Sequence, residues 1–277
     1  IFKSFFLKGQ PIEAVIHFAG LKSVQESIQK PIKYWDFNVN SSICLLDVMA
    51  KNNCKTIVFS SSANVYGSKS INPISENDSI KPENPYGETK ASIEKILNAI
   101  YNSSPMEWSI ANLRYFNPIG SHHSGLIGED PTGEINNIFP LICKVAAGQK
   151  KKIKIFGNDW DTRDGTPVRD YIHIMDLVEG HCLALDNLLK NPGRILNINL
   201  GTGKGLSVLE IIKTFESTNK IKIPYEFVKR RAGDHCASVA DTSFSKKILN
   251  WIPTHNLEDM CRSGWNWQKL NPNGYGD

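Results

Sequence analysis

Short apolar runs alternate along the chain with longer segments in which apolar positions recur every three or four residues. The short runs predict strands: Ala14–Phe18, Thr56–Phe59, Ser109–Leu113 and Ile195–Asn199. The longer segments predict amphipathic helices: Val39–Lys51, Glu88–Tyr101, Ile138–Ala147, Ile174–Leu189 and Val208–Thr218. Strands that alternate with helices in this way predict an α/β fold with a parallel sheet covered by helices.

One glycine-rich segment needs a separate interpretation. Gly201-Thr202-Gly203-Lys204-Gly205 follows a predicted strand and precedes a predicted helix, as phosphate-binding loops do. It lacks the Gly-x-x-x-x-Gly-Lys-Ser/Thr spacing with which backbone amides wrap a phosphate. No well-placed carboxylate for a ribose follows it. We therefore expect a tight turn between strand and helix, and no nucleotide site.

The strongest chemical signal is a tyrosine followed four residues later by a lysine. Tyr86 and Lys90 would share one face of a helix, because residues four apart lie one turn above each other. A lysine ammonium beside a phenol favours its ionised form and so lowers the tyrosine pKa from about 10. Ser62 ends a predicted strand, where open α/β sheets place ligand-facing groups. Together the three residues predict a site that removes a proton from a hydroxyl group.

Several further motifs together resemble those of UDP-glucose 4-epimerases, which belong to the extended short-chain dehydrogenase/reductase group. They occur in the order and near the spacing of that family, from about residue 12 to the tail at Asn273-Gly274-Tyr275. The motifs are His17-Phe18-Ala19-Gly20-Leu21-Lys22, Ser60-Ser61-Ser62-Ala63-Asn64-Val65-Tyr66-Gly67, Pro85-Tyr86-Gly87-Glu88-Thr89-Lys90, Leu113-Arg114-Tyr115-Phe116-Asn117-Pro118, Ile155-Phe156-Gly157-Asn158-Asp159 and Val168-Arg169-Asp170-Tyr171-Ile172-His173.

The resemblance implies a Rossmann-like, doubly wound parallel sheet with a smaller C-terminal substrate-binding domain. We assign residues 1–117 to the remnant of an NAD-binding domain, to whose sheet part of 170–200 returns, and 118–277 to a UDP-sugar-binding domain. Such folds normally open with a strand, a Gly-x-Gly-x-x-Gly turn and a helix. The first convincing strand here, Ala14–Phe18, resembles a later strand of such a fold, so we expect an N-terminally truncated epimerase.

The resemblance also implies a mechanism and a set of ligand contacts. Tyr86 would remove the C4 hydroxyl proton of a UDP-hexose while NAD accepts the hydride, Lys90 would tune the pKa of Tyr86, and Ser62 would position the sugar. The ketone would turn over and be reduced on its other face. The implied cofactor contacts are Phe18, Ala19, Gly20, Leu21, Lys22, Asn38, Tyr86, Lys90 and Phe116. The implied substrate contacts are Ser62, Ala63, Asn64, Asn117, Asn136, Asn137, Ile138, Lys154, Ile155, Phe156, Arg169, Arg231, Asp234 and Ser238.

Some of these positions carry alternatives. Phe37 stands where some family members have a cofactor-contacting asparagine, and Asn38 is its neighbour. For Phe18 and Phe116, packing in the core is as reasonable as a cofactor contact. Ser238 stands where some members carry a bulky tyrosine, which predicts that UDP-GlcNAc and UDP-GalNAc are also accepted.

The composition limits other functions. A formal net charge of +4 is too small and too scattered for a nucleic-acid interface. No apolar run approaches the ~18 to 20 residues of a membrane span. The six cysteines form no Cys-x-x-Cys pair, which favours free thiols in a reducing, cytoplasmic setting. The histidines lack metal-ligand spacing, and His17 and His173 are interpreted as structural. Family likeness predicts a homodimer formed through the helices around Val39–Lys51 and Glu88–Tyr101.

Two other functions compete with epimerisation of UDP-glucose. One is a related nucleotide-sugar enzyme, such as a 4,6-dehydratase or a UDP-uronic acid epimerase. A dehydratase would typically carry an Asp-Glu pair where Ala63 and Asn64 stand, and no cation is placed for the carboxylate of a uronic acid. The other is that the truncated chain is inactive and only binds a UDP-sugar weakly.

Overall fold

A computed structural model describes residues 11–68, 73–131, 133, 135–231 and 234–276. Its strands are β1 (Val15–His17), β2 (Thr56–Ser62), β3 (Ser109–Tyr115), β4 (Asn117–Ile119), β5 (Ile153–Phe156), β6 (Val168–His173), β7 (Ile195–Leu200), β8 (Gly205–Ser207), β9 (Tyr225–Val228) and β10 (Ala237–Ser238). Its α-helices are α1 (Val24–Gln29), α2 (Pro31–Tyr34), α3 (Ser41–Lys51), α4 (Pro85–Ser103), α5 (Ile138–Ala146), α6 (Ile174–Lys190), α7 (Val208–Asn219), α8 (Ser243–Leu249) and α9 (Leu257–Leu270).

The central sheet is parallel and has the strand order β1-β2-β3-β7. This confirms the four strands predicted from the apolar runs. Strand β7 lies beside β3 although it is far from β3 in the sequence, so residues 195–200 belong to the central sheet. All the carboxyl ends of these strands therefore meet at one edge, where ligands of such sheets bind.

Helices cover both faces of this sheet because its strands alternate their side chains. Ile57 and Phe59 of β2 pack in one core cluster with residues of α3 and α4, including Leu45 and Ile93. Val58, which points the other way, packs in a second cluster with residues of α6. Strands buried on both faces are apolar at nearly every position, which is why their sequence reads as continuous apolar runs. The doubly wound fold is confirmed.

A separate apolar core lies under the C-terminal half. Phe139 of α5, Ile155 of β5, Phe215 of α7 and Met260 of α9 are buried together. Two small sheets accompany this core, one in which β6 lies between β10 and β4, and one of β5 and β9. The sequence did not predict these strands, because most of them are runs of two to four residues, which carry too little periodicity to be recognised.

The predicted helix at Val39–Lys51 begins differently in the structure. Residues Trp35–Asn40 form a π-helical turn, and regular α-helix begins only at Ser41. A π-turn holds an extra residue and changes which side chains face inward. As a result Asn38 is 1% exposed, whereas its neighbour Phe37 is 55% exposed.

The glycine-rich segment after β7 is a structural turn, as predicted. The buried Asp170 carboxylate accepts hydrogen bonds from the Thr202 amide (2.7 Å) and hydroxyl (2.6 Å) and from the Gly203 amide (2.9 Å). Amides that cap a carboxylate of the same chain are not available to wrap a phosphate. A Cβ at Gly201 would lie 2.6 Å from Asp170 Oδ2, so this position requires glycine.

Candidate active site

The start of α4 brings Tyr86 and Lys90 to the carboxyl end of β2. The Asn84 side chain accepts a hydrogen bond from the Gly87 amide (2.8 Å), and Pro85 occupies the first turn. Both features are typical helix starts, since the cap satisfies a free amide and proline needs none. The helix therefore begins immediately before Tyr86, and its first turn lies against the Ser60–Ser62 strand end.

Lys90 is held beneath Tyr86 by the main chain of β2. Its Nζ atom donates a hydrogen bond to the Ser60 carbonyl oxygen at 2.6 Å and lies 5.9 Å from the centroid of the Tyr86 ring. The residue is only 4% exposed. Burial lowers the pKa of Lys90 to about 8, and the charge of Glu94 partly opposes this shift.

The pKa of Tyr86 differs in direction from the prediction. Burial raises the pKa of the Tyr86 phenol, and a hydrogen bond with the Ser62 side chain offsets part of the rise. The expected lowering by Lys90 is not seen in the net shift, because burial, which disfavours the phenolate, is its largest cause. Ser62 also accepts hydrogen bonds from the amide (3.2 Å) and the side chain (3.1 Å) of Asn64, so its hydroxyl is fixed in place.

The predicted cofactor residues after β1 lie at the same sheet edge. Phe18, Ala19 and Gly20 are exposed, and the Phe18 ring lies 4.8 Å from that of His181. A Cβ at Gly20 would lie 3.1 Å from Asn38 Oδ1 and 3.9 Å from Lys90 Nζ, so this glycine lies directly beside both side chains. Lys22 forms an ion pair of 2.8 Å with Glu129, which joins this loop to the C-terminal half.

Asn38 acts inside the protein and does not face the open site. Its Oδ1 accepts from the Leu21 amide (2.7 Å), while its Nδ2 donates to the Leu21 carbonyl (3.1 Å) and to Thr89 Oγ1 (3.1 Å). These hydrogen bonds hold the loop after β1 against α4, and the cofactor contact expected at Asn38 stays a prediction.

The residues that follow β2 and β3 divide into open and buried positions. Ala63 and Asn64, which follow Ser62, are half-buried, and Asn117 is exposed on β4. Phe116 is 6% exposed and packs with Val65 and other apolar residues, so its side chain belongs to the core. This is the packing alternative foreseen for Phe116, whereas Phe18 is 56% exposed.

The predicted nucleotide-binding residues form a second group near β6 and β10. Arg231 pairs with Asp234 at 3.1 Å, and its guanidinium lies 4.9 Å from the Phe156 ring centroid. Arg169 is paired in register with Ser238 of β10 and donates to the His235 carbonyl at 2.8 Å. Burial lowers the pKa of Arg169. Two arginines and an aromatic ring in one place suit a phosphate and a planar base.

The remaining predicted substrate residues differ in how far their side chains are exposed. Lys154 is exposed, but Ile155 is 2% exposed in the C-terminal core, so only its main chain can reach a ligand. Asn136 is half-buried, Asn137 is exposed, and both precede α5, which begins at Ile138. The structure does not bring the Ile155 side chain to the Arg231–Phe156 group, because alternate residues of β5 face opposite sides.

Two buried histidines are structural, as predicted. His17 contacts Ser42 Oγ at 2.8 Å, and His173 Nδ1 accepts from the Met175 amide at 3.0 Å at the start of α6. Burial lowers the pKa of each to about 4.

Among the described residues no group of three or more His, Cys, Asp or Glu side chains is arranged to hold a metal ion. Within the same part of the chain, no helix is long and apolar enough to cross a bilayer.

Sequence reasoning missed a buried ion pair beside the site. Glu94 lies one turn after Lys90 on α4, and Arg114 on β3 pairs with it at 2.7 Å, with both side chains 3% exposed. Arg114 also donates to the Tyr66 hydroxyl at 2.9 Å. The spacing Tyr86, Lys90, Glu94 is visible in the sequence, but nothing local indicates that an arginine of β3 completes it.

Comparisons with known proteins identify the family. A family model described as GDP-mannose 4,6 dehydratase matches residues 4–264. UDP-glucose 4-epimerase of Dictyostelium discoideum is 49% identical over 266 residues, which is 96% of this chain and 77% of that protein. The Bacillus subtilis enzyme of the same name is 49% identical over 264 residues, covering 95% of this chain and 77% of the relative. The chain belongs to the UDP-glucose 4-epimerase family.

Solved structures of this family agree with the fold. UDP-glucose 4-epimerase of Bifidobacterium longum, solved with NAD+ and UDP, matches with a TM-score of 0.92 and 47% identity, covering 99% of this chain and 80% of that chain. The enzyme of Stenotrophomonas maltophila, solved with NAD and formylated UDP-arabinopyranose, also has a TM-score of 0.92, with 46% identity over 94% of this chain and 77% of that chain.

Proposed function

We propose that this chain interconverts UDP-glucose and UDP-galactose by NAD-dependent epimerisation at C4. The observation that carries the proposal is the group of Ser62, Tyr86 and Lys90 at the sheet edge, in a chain about half identical to UDP-glucose 4-epimerases over nearly its whole length. Inversion of a carbon that bears a hydroxyl requires a planar intermediate, and a ketone provides it.

The open positions after β1 fit a dinucleotide. Phe18, Ala19 and Gly20 are exposed at the carboxyl edge, and Gly20 lies beside Lys90. Lys90 supplies positive charge in this region, while Lys22 is paired with Glu129. These residues and Tyr86 would hold NAD, which when bound accepts a hydride from the sugar and returns it.

Tyr86 is the proposed base for the C4 hydroxyl. The buried Lys90 cation favours the phenolate that accepts this proton, and Ser62 orients the same sugar oxygen through its fixed hydroxyl. A positioned base typically contributes about 10²- to 10⁴-fold to the rate. After the ketone turns over, the phenol returns the proton to the oxygen on the new face, so the protein ends each cycle unchanged.

The second group of residues would bind the UDP half of the substrate. Arg169 and Arg231 present guanidinium groups for the diphosphate, and Phe156 offers a ring against which Arg231 already packs. Asn117 of β4 pairs in register with Tyr171 of β6, two residues after Arg169. The chain of paired strands therefore connects the predicted diphosphate residues to the end of β3.

The residues after Ser62 argue against elimination of water. Ala63 and Asn64 occupy a short 3₁₀ turn that follows β2 directly. Neither side chain ionises, so neither could act as the additional acid or base that a dehydratase needs beside the sugar. Among the reactions open to a nucleotide-sugar enzyme with this Tyr-Lys pair, epimerisation is the one favoured.

A wider substrate range follows from Ser238. This small residue is half-buried on β10, and its main chain pairs with that of Arg169. A serine leaves volume for a 2-acetamido group, which supports turnover of UDP-GlcNAc and UDP-GalNAc. Replacing it in the Ser238→Tyr variant should abolish that turnover while UDP-glucose turnover remains. Wild-type protein that converts UDP-glucose but not UDP-GlcNAc would contradict this extension.

A homodimer is the proposed assembly. Ile32, Trp35, Phe37 and Ile43 are exposed on α2, the π-turn and α3, with exposed fractions of 83%, 39%, 55% and 47%. A second copy that packs its helices here would cover this apolar surface. A monomer at micromolar concentration in analytical ultracentrifugation would refute the homodimer.

All six cysteines are free thiols, which supports a reducing, cytoplasmic location.

The test of the main proposal is an epimerase assay with UDP-galactose, together with an assay of NAD in the purified protein. Conversion to UDP-glucose by wild-type protein and its loss in the Tyr86→Phe variant would support the proposal. Wild-type protein that is folded and supplied with NAD, yet gives no product, would contradict it.

A further inference from the structure

The three serines that end β2 each contact a different functional residue of α4. The Ser60 carbonyl accepts from Lys90 Nζ at 2.6 Å, and the Ser62 side chain forms a hydrogen bond with Tyr86. Between them, the Ser61 hydroxyl donates to Glu94 Oε1 at 2.5 Å. Tyr86, Lys90 and Glu94 are spaced by four residues, so they form one stripe along the helix. The strand end therefore fixes the position of this whole stripe.

Glu94 is a charged group buried at the site without a part in the proposed reaction. It is 2% exposed. Arg114 donates from Nε to Oε1 at 3.0 Å and from Nη2 to Oε2 at 2.7 Å, which is the paired geometry that fixes a carboxylate best. A helix can be fastened to a sheet more cheaply by apolar packing, because burying an ion pair costs desolvation energy. The retained charge therefore calls for an explanation beyond attachment.

We propose that Glu94 is a positioning residue of the proton-transfer site: its carboxylate holds α4 against the Ser60–Ser62 strand end and keeps the neighbouring Lys90 side chain cationic. The inference rests on the proposed function, because only a charged Lys90 favours the phenolate of Tyr86. Glu94 acts through Lys90 and does not touch substrate.

Among the residues that the structure describes around Lys90, Glu94 is the anion that supports its charge. On its own helix Lys90 faces Tyr86 and Glu94. From β1 it faces His17, whose pKa of about 4 keeps it neutral near pH 7. On β3, Arg114 is hydrogen-bonded to Glu94. Burial raises the pKa of Tyr115 on the same strand, so the Tyr115 phenol is neutral near pH 7.

The charged groups on the other elements packed against α4 have partners of their own. Glu26 of α1 pairs with Lys33 of α2 at 2.9 Å, and Asp36 of the π-turn accepts from Asn40 at 3.1 Å. Burial lowers the pKa of Lys90 to about 8, so without Glu94 its charge would be lost closer to neutral pH. The charge of Glu94 and its hydrogen bonds to Ser61 and Arg114 therefore support the same role.

The Glu94→Gln variant tests the inference with a readout that a merely structural role would not change. We would label lysine with ¹³C at Cε, follow the Lys90 resonance by NMR from pH 6 to pH 11, and assign it by its loss in Lys90→Met. Removing a nearby opposite charge should lower the Lys90 titration midpoint by about 1 unit. The alkaline limb of the UDP-galactose activity profile should move down by a similar amount.

Two further variants provide the controls. Glu94→Gln/Arg114→Gln removes both charges and avoids an unpaired buried arginine, so it should fold even where the single variant does not. Because the Arg114 cation is lost as well, its Lys90 midpoint should fall below that of the wild type by less than in Glu94→Gln. Asp176→Asn removes another buried carboxylate, whose partners are Thr254 and His255, and should leave the Lys90 midpoint unchanged.

The outcomes separate this inference from the proposed function. A Lys90 midpoint in the Glu94 variants equal to that of the wild type would overturn the inference, even if epimerisation is confirmed. A lowered Lys90 midpoint in the Glu94 variants would support the role of Glu94 in the Lys90 charge even if the wild-type protein never converts UDP-galactose. That second result would contradict the epimerase proposal instead.

Discussion

The ammonium group of Lys90 donates a hydrogen bond of 2.6 Å to the carbonyl oxygen of Ser60. A main-chain partner of this kind fixes the ammonium without neutralising it, so the charge remains effective toward the Tyr86 phenol. It also ties the first turns of α4 to the strand end that carries Ser62. The relative position of base, cation and hydroxyl therefore depends on packing between one strand and one helix, which are rigid elements.

Replacing Tyr86 by phenylalanine should remove the base and little else. The ring stays, and only the hydroxyl is lost, so folding should be retained while UDP-galactose turnover falls by about 10²- to 10⁴-fold. The measurement is kcat for the purified variant beside its circular dichroism spectrum. Tyr225→Phe, at a tyrosine that is 41% exposed, is the matched control and should keep wild-type activity. Full activity in Tyr86→Phe would assign the base elsewhere.

Asp170 should be essential for the turn after β7. In Asp170→Asn one of the two oxygen atoms becomes an amide nitrogen, so either the Thr202 donors or the Gly203 and Ala240 amides lose their acceptor. Buried donors without an acceptor cost about 1–3 kcal/mol each, so the free energy of unfolding should fall by about 2–4 kcal/mol in urea titrations.

Lys204→Ala in the same turn is the control, because Lys204 is exposed. Its unfolding free energy should change by less than about 0.5 kcal/mol, as is usual for surface substitutions. Its affinity for UDP-galactose should be that of the wild type. A strong loss of nucleotide binding in Lys204→Ala would mean that the turn is a phosphate site after all.

Local patterns in the sequence predict the central strands and the proton-transfer group. The apolar runs predict β2 and β3, and the four-residue spacing predicts that Tyr86 and Lys90 share a helix face. The Glu94–Arg114 ion pair joins residues 20 positions apart on different elements, and no local pattern signals it. The π-turn at Trp35–Asn40 likewise changes which side chains face inward, because packing decides where a helix accommodates an extra residue.

The net direction of the Tyr86 pKa shift could not be predicted for a related reason. A charge next to a phenol can be inferred from spacing, but the cost of burying the phenolate depends on how much water the finished fold excludes. The buried side chains of Phe116 and Ile155 show the same limit. Motif similarity indicates that these positions lie near ligands, while only the fold shows which atoms face the open side.

His173 should make the protein sensitive to acid. Its pKa is lowered by burial to about 4 in the folded state, against ~6.5 when unfolded, so between these values the unfolded state binds more protons. Stability from this residue is fully present above about pH 6.5 and is lost as the pH falls toward 4. By pH 5 the loss from this one group should be about 2 kcal/mol.

The His173→Asn variant tests this pH dependence. Asparagine can still cap α6, so the variant should fold, and its unfolding free energy should decrease less than that of the wild type between pH 7.5 and pH 5. Urea titrations at the two pH values measure the difference. His123→Asn, at an exposed histidine, should keep the wild-type pH dependence. Equal acid sensitivity in His173→Asn and wild type would show that other groups dominate.

Arg231 should affect substrate binding more than the chemical step. Its guanidinium packs over Phe156 and is held by Asp234 at 3.1 Å. A hydrogen bond to a charged group contributes about 1.5–3 kcal/mol, so Arg231→Met should raise KM for UDP-galactose by roughly 10- to 100-fold with kcat little changed. Arg231→Lys should lie between, since lysine keeps the charge but loses the planar fork.

The matched control for this prediction is Arg262→Met, at an arginine whose side chain is 64% exposed on α9. Its KM and kcat should both remain those of the wild type. If Arg231→Met instead lowers kcat and kcat/KM by the same factor, the guanidinium stabilises the transition state and not the bound nucleotide. In that case the separation of this chain into a proton-transfer group and a diphosphate group would have to be abandoned, because one residue would serve both.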